Sequence, residues 1–297
     1  MPVKPLAFVG ESLDALFMRA VNDQPIEHFT LRGVDSLIGG VNAGRLVIIS
    51  GEPGAAKTTL LGQLADDLAS KGHPVLFFTF ELAPQALLAK SLVRLIDSVS
   101  IGDLSNAYHD ADSATKLENA RETYRKRAGT RLAYIDRPCS PVQMGRYVAD
   151  CEKETGLKPV VMLDYLQICE SSTERAVVDE RVAIKETVMG LRDIANAFDV
   201  PVFAISSINR TSYEMKPTLK SLGGCSFIAY SADTVLHLAV ESKSDERERN
   251  LGMSVRPLVL TALKNRYSVT GAARLDFEPS HALFRDHLED YSHGWAR

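Results

Sequence analysis

Residues 51–59 combine glycine, lysine and hydroxyl side chains at a spacing that suits the binding of a triphosphate. In order they are Gly51, Glu52, Pro53, Gly54, Ala55, Ala56, Lys57, Thr58 and Thr59. This is close to the phosphate-loop pattern G-x-x-x-x-G-K-[ST]. In such a loop backbone N–H groups bind phosphate oxygens, the lysine reaches the β- and γ-phosphates, and the next hydroxyl residue binds Mg²⁺. The segment therefore predicts a site for a nucleoside triphosphate with Mg²⁺.

One position departs from this pattern, because Ala56 stands where the second glycine is usual. Its methyl group is expected to crowd the phosphate, or the packing of helix on strand, and so to weaken nucleotide binding without abolishing it. Gly54 is expected to supply the unusual backbone angles in the middle of the loop. The alternative interpretation is a strand–helix turn rich in glycine and alanine, with an ordinary surface lysine.

Two carboxylates end apolar runs and are candidates for work on the phosphates. Asp164 follows the run at 160–163, where it could hold Mg²⁺ through water at the carboxyl edge of a parallel sheet. A strand-ending aspartate that caps a turn is the alternative. Glu81 follows the run at 76–80, where a carboxylate could orient and deprotonate the water that attacks the γ-phosphate.

Two further segments carry polar groups that could respond to the γ-phosphate. Residues 203–210 run from an apolar strand into Ser207 and Asn209, which could sense the phosphate and move the following loop, or form a plain strand-to-loop transition. Lys264 and Arg266 share one face of an extended segment at the tip of a predicted hairpin. They could act as an arginine finger on a neighbouring subunit's nucleotide, or simply form an exposed basic turn.

The elements that must position these residues alternate along the chain. Strands are predicted at 46–50, 75–80, 131–135, 159–163, 201–206, 234–239, 257–263 and 273–277. Helices are predicted at 57–71, 84–97, 115–128, 141–155 and 176–198. This order predicts an α/β fold with a mostly parallel sheet flanked by helices, and an antiparallel edge formed by the last strands. The charge-rich stretch 241–250 is expected to be a mobile, solvated loop.

Residues 1–30 are predicted to form an arm that precedes one domain at 31–297. Within the arm, one face of a helix carries an apolar stripe made of Leu13, Leu16, Phe17, Ala20 and Val21. Such a stripe must be buried, either on its own domain or on a neighbouring subunit.

The composition of the chain is that of an ordinary globular protein: 297 residues, 45% apolar, 24% charged, with a net charge of −4. Nucleic-acid binding would therefore have to come from a local groove and not from bulk charge. The first residues lack the apolar core of a signal peptide, and no 18-residue apolar stretch exists, so no membrane span is expected. Four cysteines without a C-x-x-C pair favour a reducing, cytoplasmic location.

Taken in their order along the chain, these segments resemble the C-terminal ATPase domain of DnaB-type replicative helicases, a branch of the RecA superfamily. The resemblance runs from about residue 30 to 277. It rests on GVDSL at 33–37 with Gly39-Gly40, the loop at 51–58, FFTFEL at 77–82, VVMLDYLQI at 160–168, ISSINR at 205–210, SADTVLHL at 231–238 and LKNR at 263–266. It implies a RecA-like P-loop NTPase core, preceded by a short helical arm, that uses ATP and Mg²⁺.

The resemblance also implies roles for single residues. Glu81 looks like the catalytic base, Asp164 like the Mg²⁺-coordinating acid, and Lys264 with Arg266 like the basic pair that acts between subunits. The helix at 12–21 is similar to a linker helix that docks on the adjacent protomer and closes a ring, usually of six subunits. Single-stranded DNA is the implied partner, whereas the sequence identifies no loader or primase.

This sequence departs from the family at several points. Ser207 stands where the family commonly has glutamine, and residues 222–227 (LGGCSF) lack an Arg-Glu pair that is common in a DNA-facing loop. DNA phosphates could still be bound by Lys216, Lys220 and backbone amides. The family's N-terminal domain, which contacts primase, has no counterpart in these residues.

The predicted function is ATP hydrolysis at subunit interfaces of a DnaB-like helicase or single-stranded-DNA translocase. Two alternatives remain open. One is a RecA-superfamily switch whose assembly reports nucleotide, which the bare Gly223-Gly224 loop favours. The other is a nucleotide-binding scaffold with little turnover, which Ala56 and Ser207 favour.

Overall fold

A computed structural model describes residues 9–169, 180–208, 218–219, 226–241 and 247–288 of the chain. Its strands are β1 (Leu46–Gly51), β2 (Val75–Thr79), β3 (Leu132–Ile135), β4 (Val160–Asp164), β5 (Val202–Ser206), β6 (Thr234–Val240), β7 (Arg256–Asn265), β8 (Ala272–Glu278) and β9 (Leu283–Asp286). Within the described residues they form one nine-stranded sheet in the order β3-β2-β4-β5-β1-β6-β7-β8-β9.

The sheet divides into a parallel part and an antiparallel part, as the sequence predicts. Strands β1 to β6 pair in parallel, and β6 to β9 pair with their neighbours in antiparallel fashion. Strands β1, β2, β4 and β5 are buried along their whole length. Continuous apolar strands of this kind need cover on both faces, and the helices supply it.

The helices, except for the exposed first one, pack on the faces of the sheet or on one another. Among the described residues they are α1 (Val9–Val21), α2 (Arg32–Ile38), α3 (Lys57–Ser70), α4 (Pro84–Val93), α5 (Ala111–Arg127), α6 (Pro141–Thr155), α7 (Glu180–Phe198), α8 (Ser226–Ser231) and α9 (Arg247–Leu251). Because strand side chains alternate, Val47 and Ile49 of β1 join the core beneath α3, whereas Leu46 and Ile48 join the core beneath α6 and α7.

Several elements differ from the sequence prediction. Strand β9 and helices α2 and α8 were not predicted, and α4 ends at Val93 instead of residue 97. The predicted loop at 241–250 is wrong in its last part, because α9 begins at Arg247, while 242–246 lie outside the described residues. These elements are short, and a helix or strand of four to seven residues gives too few periods for its pattern to be recognised.

Helix α1 exposes those side chains of its apolar stripe that the structure describes. The exposed fractions of Leu13, Phe17 and Val21 are 55%, 62% and 56%. Of the two expectations for the arm, burial on its own domain is therefore not observed. In the part of the chain that the structure describes, no helix has the length and apolar character that crossing a membrane requires.

Candidate nucleotide-binding site

The loop between β1 and α3 is built around two glycines. At Gly51 an added Cβ would lie 2.3 Å from the carbonyl oxygen of Leu238 on β6, so no larger residue fits between the two strands. Gly54 has a φ of 81°, in the left-handed region that glycine adopts at no steric cost, as the sequence predicts. The loop then enters α3, whose first N–H groups have no partner within the helix and are available to an anion.

Ala56 also adopts a left-handed conformation, with φ 61° and ψ 28°. This explains why the phosphate-loop pattern has glycine at that position. The sequence reasoning placed the difficulty in the methyl group's contacts with phosphate or strand. The structure adds a cost in the backbone, about 1 kcal/mol for a residue with a Cβ.

Lys57 folds back over this loop. Its Nζ donates hydrogen bonds to the carbonyl oxygens of Gly51 and Glu52, at 2.8 and 2.9 Å. Burial lowers the pKa of the ammonium group, while the carboxylates of Asp164 and Glu81 oppose that shift. Burial thus disfavours the charged form of Lys57, and the two nearby carboxylates favour it.

Asp164 ends β4 beside Thr79 of β2 and is completely buried. Neither of its carboxylate oxygens has a hydrogen-bond partner among the described residues. Burial raises the pKa of Asp164 to about 6; the nearby Thr58 hydroxyl lowers it, Glu81 raises it, and Lys57 and Lys90 lower it. A buried carboxylate that lacks a partner, next to a hydroxyl group, offers the hard oxygen ligands that Mg²⁺ prefers, so these residues fit the metal.

One cavity of about 380 Å³ brings most of the predicted residues together. The predicted residues that line it are Pro53, Gly54, Ala56, Lys57, Thr58, Thr59, Glu81, Asp164 and Ser207. Gly51, Glu52 and Ala55 belong to the same loop, although they do not line the cavity. Asn209, with Lys216 and Lys220, lies outside the described residues.

The structure adds two residues that the sequence reasoning missed. Lys90 of α4 lines the cavity and donates from Nζ to the Thr59 hydroxyl at 3.1 Å. Lys90 follows the buried Leu87 by three positions, so both lie on the same face of the helix, and this spacing could have indicated that Lys90 faces the domain. Gln167 binds the end of β5, because its amide donates to Ser206 Oγ at 3.3 Å and its carbonyl accepts from the N–H of Ser207 at 3.4 Å. It belongs to the DYLQ segment but was given no role there.

Lys264 and Arg266 lie at the opposite edge of the sheet from this cavity. Strand β7 ends at Asn265, which pairs with Thr234 at the beginning of β6, whereas the phosphate loop follows the end of β1. Five residues of strand separate the two ends of β1, roughly 16 Å. These two cations therefore do not reach the cavity of their own chain.

A second cavity, of about 420 Å³, lies between α3, α4, α5 and β9. Two of its charged groups pair with each other, since Arg94 binds Asp66, and the Tyr124 hydroxyl donates to the same carboxylate at 2.9 Å. The phosphate-loop cavity differs because the described part of the chain gives its buried aspartate no hydrogen-bond partner.

Comparisons with known proteins give matches over most of the chain. The family model of the DnaB-like helicase C terminal domain matches residues 28–286. The chain is 26% identical over 258 residues to the replicative DNA helicase DnaB of Treponema pallidum, covering 86% of this chain and 54% of that protein. It is 24% identical over 273 residues to the DnaB of Pasteurella multocida, covering 87% and 56%. The chain thus spans little more than half of each relative.

Two solved structures share the fold. The ATPase domain of G40P superimposes with a TM-score of 0.80 at 19% identity, covering 95% of this chain and all of that domain. A DnaB-like replicative helicase, solved in a study of its interactions with primase, gives the same TM-score at 18% identity and covers 95% of this chain and 68% of its own.

Proposed function

We infer that this chain, which belongs to the DnaB-like helicase C terminal domain family, hydrolyses ATP at sites shared between copies of itself and moves on single-stranded DNA. The observation that carries this proposal is that Lys57, Thr58, Glu81 and Asp164 line one cavity, where the carboxylate of Asp164 has no hydrogen-bond partner in the described structure. The likeness to replicative helicases supports single-stranded DNA as the partner.

Within one chain, each residue of the cavity has a task. The loop N–H groups and Lys57 bind the β- and γ-phosphates, and Thr58 and Asp164 hold Mg²⁺, which when bound neutralises phosphate charge. Glu81 orients the attacking water and accepts its proton. Lys90 places a second cation beside Thr59. Gln167 ties the end of β5, where Ser207 lines the cavity, to the segment that follows Asp164.

The site is completed by a neighbouring copy of the chain. Arg266 and Lys264 lie too far from their own phosphate loop, so they serve the γ-phosphate of the next subunit, as an arginine finger in trans. The apolar stripe of α1, of which Leu13, Phe17 and Val21 are exposed in the single chain, docks on that same neighbour and helps to close a ring of about six subunits, the number usual in the related family.

The decisive experiment compares ATP turnover of the assembled protein with and without single-stranded DNA. Wild type should be stimulated by DNA, with an affinity that falls as salt rises. Arg266→Ala should lower turnover in the assembled state about 10³-fold, the lower end of what a finger contributes. Arg285→Gln is the matched control, because Arg285 forms an exposed ion pair with Glu278 on the far strands.

Other outcomes would indicate other functions. If Arg266→Ala leaves assembled turnover unchanged, the assignment in trans is wrong. An oligomer size that changes with ATP while turnover ignores DNA would indicate a switch. Slow turnover that stays the same in Glu81→Gln would indicate a nucleotide-binding scaffold.

A further inference from the structure

Arg266 is engaged within its own chain at the amino edge of the sheet. Its Nη1 lies 3.3 Å from Asp233 Oδ1, its Nη2 donates to the carbonyl oxygen of Tyr230, and its backbone N–H donates to the carbonyl oxygen of Asp233 at 3.0 Å. The side chain is nevertheless 42% exposed. A finger that acts on another subunit has to leave the first two of these partners each time it reaches out.

Asp233 has more than one cation beside it. Its side chain is completely buried, and Oδ2 accepts from the N–H of Leu46 at 2.9 Å and pairs with Nη1 of Arg192 on α7. Arg266 occupies the other oxygen, Oδ1. The two arginines thus hold separate oxygens of one carboxylate.

This division of the carboxylate decides whether Arg266 can depart. A buried carboxylate that loses its only cation is strongly destabilised. With Arg192 and the Leu46 N–H still bound, Asp233 keeps a positive partner and a donor after Arg266 has gone. In the single chain Lys264 also binds the end of α8, where Nζ donates to the carbonyl oxygens of Ala229 and Ala232 at 2.7 and 2.6 Å.

We propose that Arg192 is a positioning residue for ATP hydrolysis: by neutralising Asp233 it lets Arg266 exchange between a resting dock in its own chain and the γ-phosphate bound by the next subunit. This rests on the proposed function of Arg266 in trans. Without Arg192, Arg266 is the remaining cation on Asp233 and is retained in the dock.

The test measures the turnover of assembled protein at saturating ATP. Arg192→Gln should lower kcat about tenfold, with little change in KM for ATP. The factor corresponds to the free energy of about one charge-assisted hydrogen bond, because Asp233 binds Arg266 more tightly once Arg192 is gone. The double variant Arg192→Gln with Asp233→Asn removes the buried charge as well, so it should recover most of the lost kcat. Arg192→Lys should retain more turnover than Arg192→Gln, and Arg285→Gln serves as the control for loss of a surface arginine.

Mixed assemblies locate the defect in one subunit. A subunit with Lys57→Ala can only supply the finger, and a subunit with Arg266→Ala can only supply the phosphate loop. Adding Arg192→Gln to the finger-supplying subunit should lower the rate more than adding it to the loop-supplying subunit. Equal losses in both would overturn the proposal, because a general structural defect acts in either place.

The two proposals can fail separately. Unchanged turnover in Arg266→Ala would contradict the proposal that Arg266 acts as a finger in trans. If Arg266→Ala lowers turnover but Arg192→Gln does not, or if the double variant recovers nothing, then the dock is wrong and the finger in trans stands. Should Arg192→Gln fail to fold alone, the double variant and Arg192→Lys still give the comparison, and a double variant as slow as Arg266→Ala would contradict the proposal.

Discussion

The two ends of the parallel sheet each bury an aspartate completely, and they surround it in opposite ways. Asp164, at the carboxyl edge, has no hydrogen-bond partner among the described residues. Asp233, at the amino edge, binds two arginines and one backbone N–H. Since an isolated buried carboxylate is costly, we infer that the first awaits a ligand from outside the chain, whereas the second is already part of the fold.

This contrast predicts opposite effects from similar substitutions. Removing one member of a buried, paired set leaves charges and donors without partners. Removing the charge of an unpaired group relieves a cost that the fold carries until the ligand binds. Four substitutions at the two ends of the sheet probe these surroundings, from the largest expected effect to the smallest.

Asp233→Ala should destabilise the fold by about 4 kcal/mol, within the range for breaking a buried ion pair. It leaves two arginines and the Leu46 N–H without their acceptor. Denaturant unfolding of the two proteins measures the difference. Asp23→Ala is the control, because Asp23 pairs with Arg45 at the surface, where we expect a loss below about 1 kcal/mol. Equal losses in the two variants would remove the contrast.

Asp164→Asn should raise stability at pH 8 in the absence of nucleotide and Mg²⁺. The pKa of Asp164 is raised to about 6, so the folded state binds the proton more tightly, and stability is lost as pH rises from the unfolded pKa through 6. This corresponds to about 2–3 kcal/mol above pH 7. The gain should shrink towards pH 5. With ATP and Mg²⁺ the order should reverse, because only wild type binds the metal fully. A variant less stable than wild type at pH 8 would contradict the assignment.

Lys264→Met should cost about 1–2 kcal/mol, since it removes charge-assisted hydrogen bonds to the carbonyls that end α8. Thermal unfolding compared with Lys158→Met provides the measurement and the control, because Lys158 forms an exposed ion pair with Asp199 at 3.2 Å. A loss no larger than that of Lys158→Met would mean that Lys264 is not a structural part of the amino edge.

Ala56→Gly should stabilise the fold slightly, by up to about 1 kcal/mol, because glycine adopts the left-handed φ of 61° without a steric cost. Nucleotide affinity should rise as well. Ala55→Gly is the matched control in the same loop and should destabilise, since Ala55 is buried and has no positive φ. Calorimetric unfolding of both variants checks the sign, and a loss of stability in Ala56→Gly would place the cost elsewhere.

Much of the fold could be predicted because its signals are local. The buried run of β1, the loop and the apolar spacing of α3 lie within 25 consecutive residues, and the eight predicted strands are all present. The short elements were missed because four to seven residues give no clear period. A cost at Ala56 was foreseeable, since glycine is usual at that position. Its origin in the left-handed backbone conformation was not.

The class of ligand and the order of strands and helices could be predicted from the sequence alone, because a phosphate loop and hydrophobic periodicity are properties of neighbouring residues. The tertiary arrangement was needed to show that Asp164 has no hydrogen-bond partner within the described ranges, that Lys90 reaches Thr59, and that Arg266 rests on Asp233. The bond between the Leu46 N–H and Asp233 joins residues 187 positions apart. Such contacts depend on which strands become neighbours, and no local pattern in the chain encodes that distance.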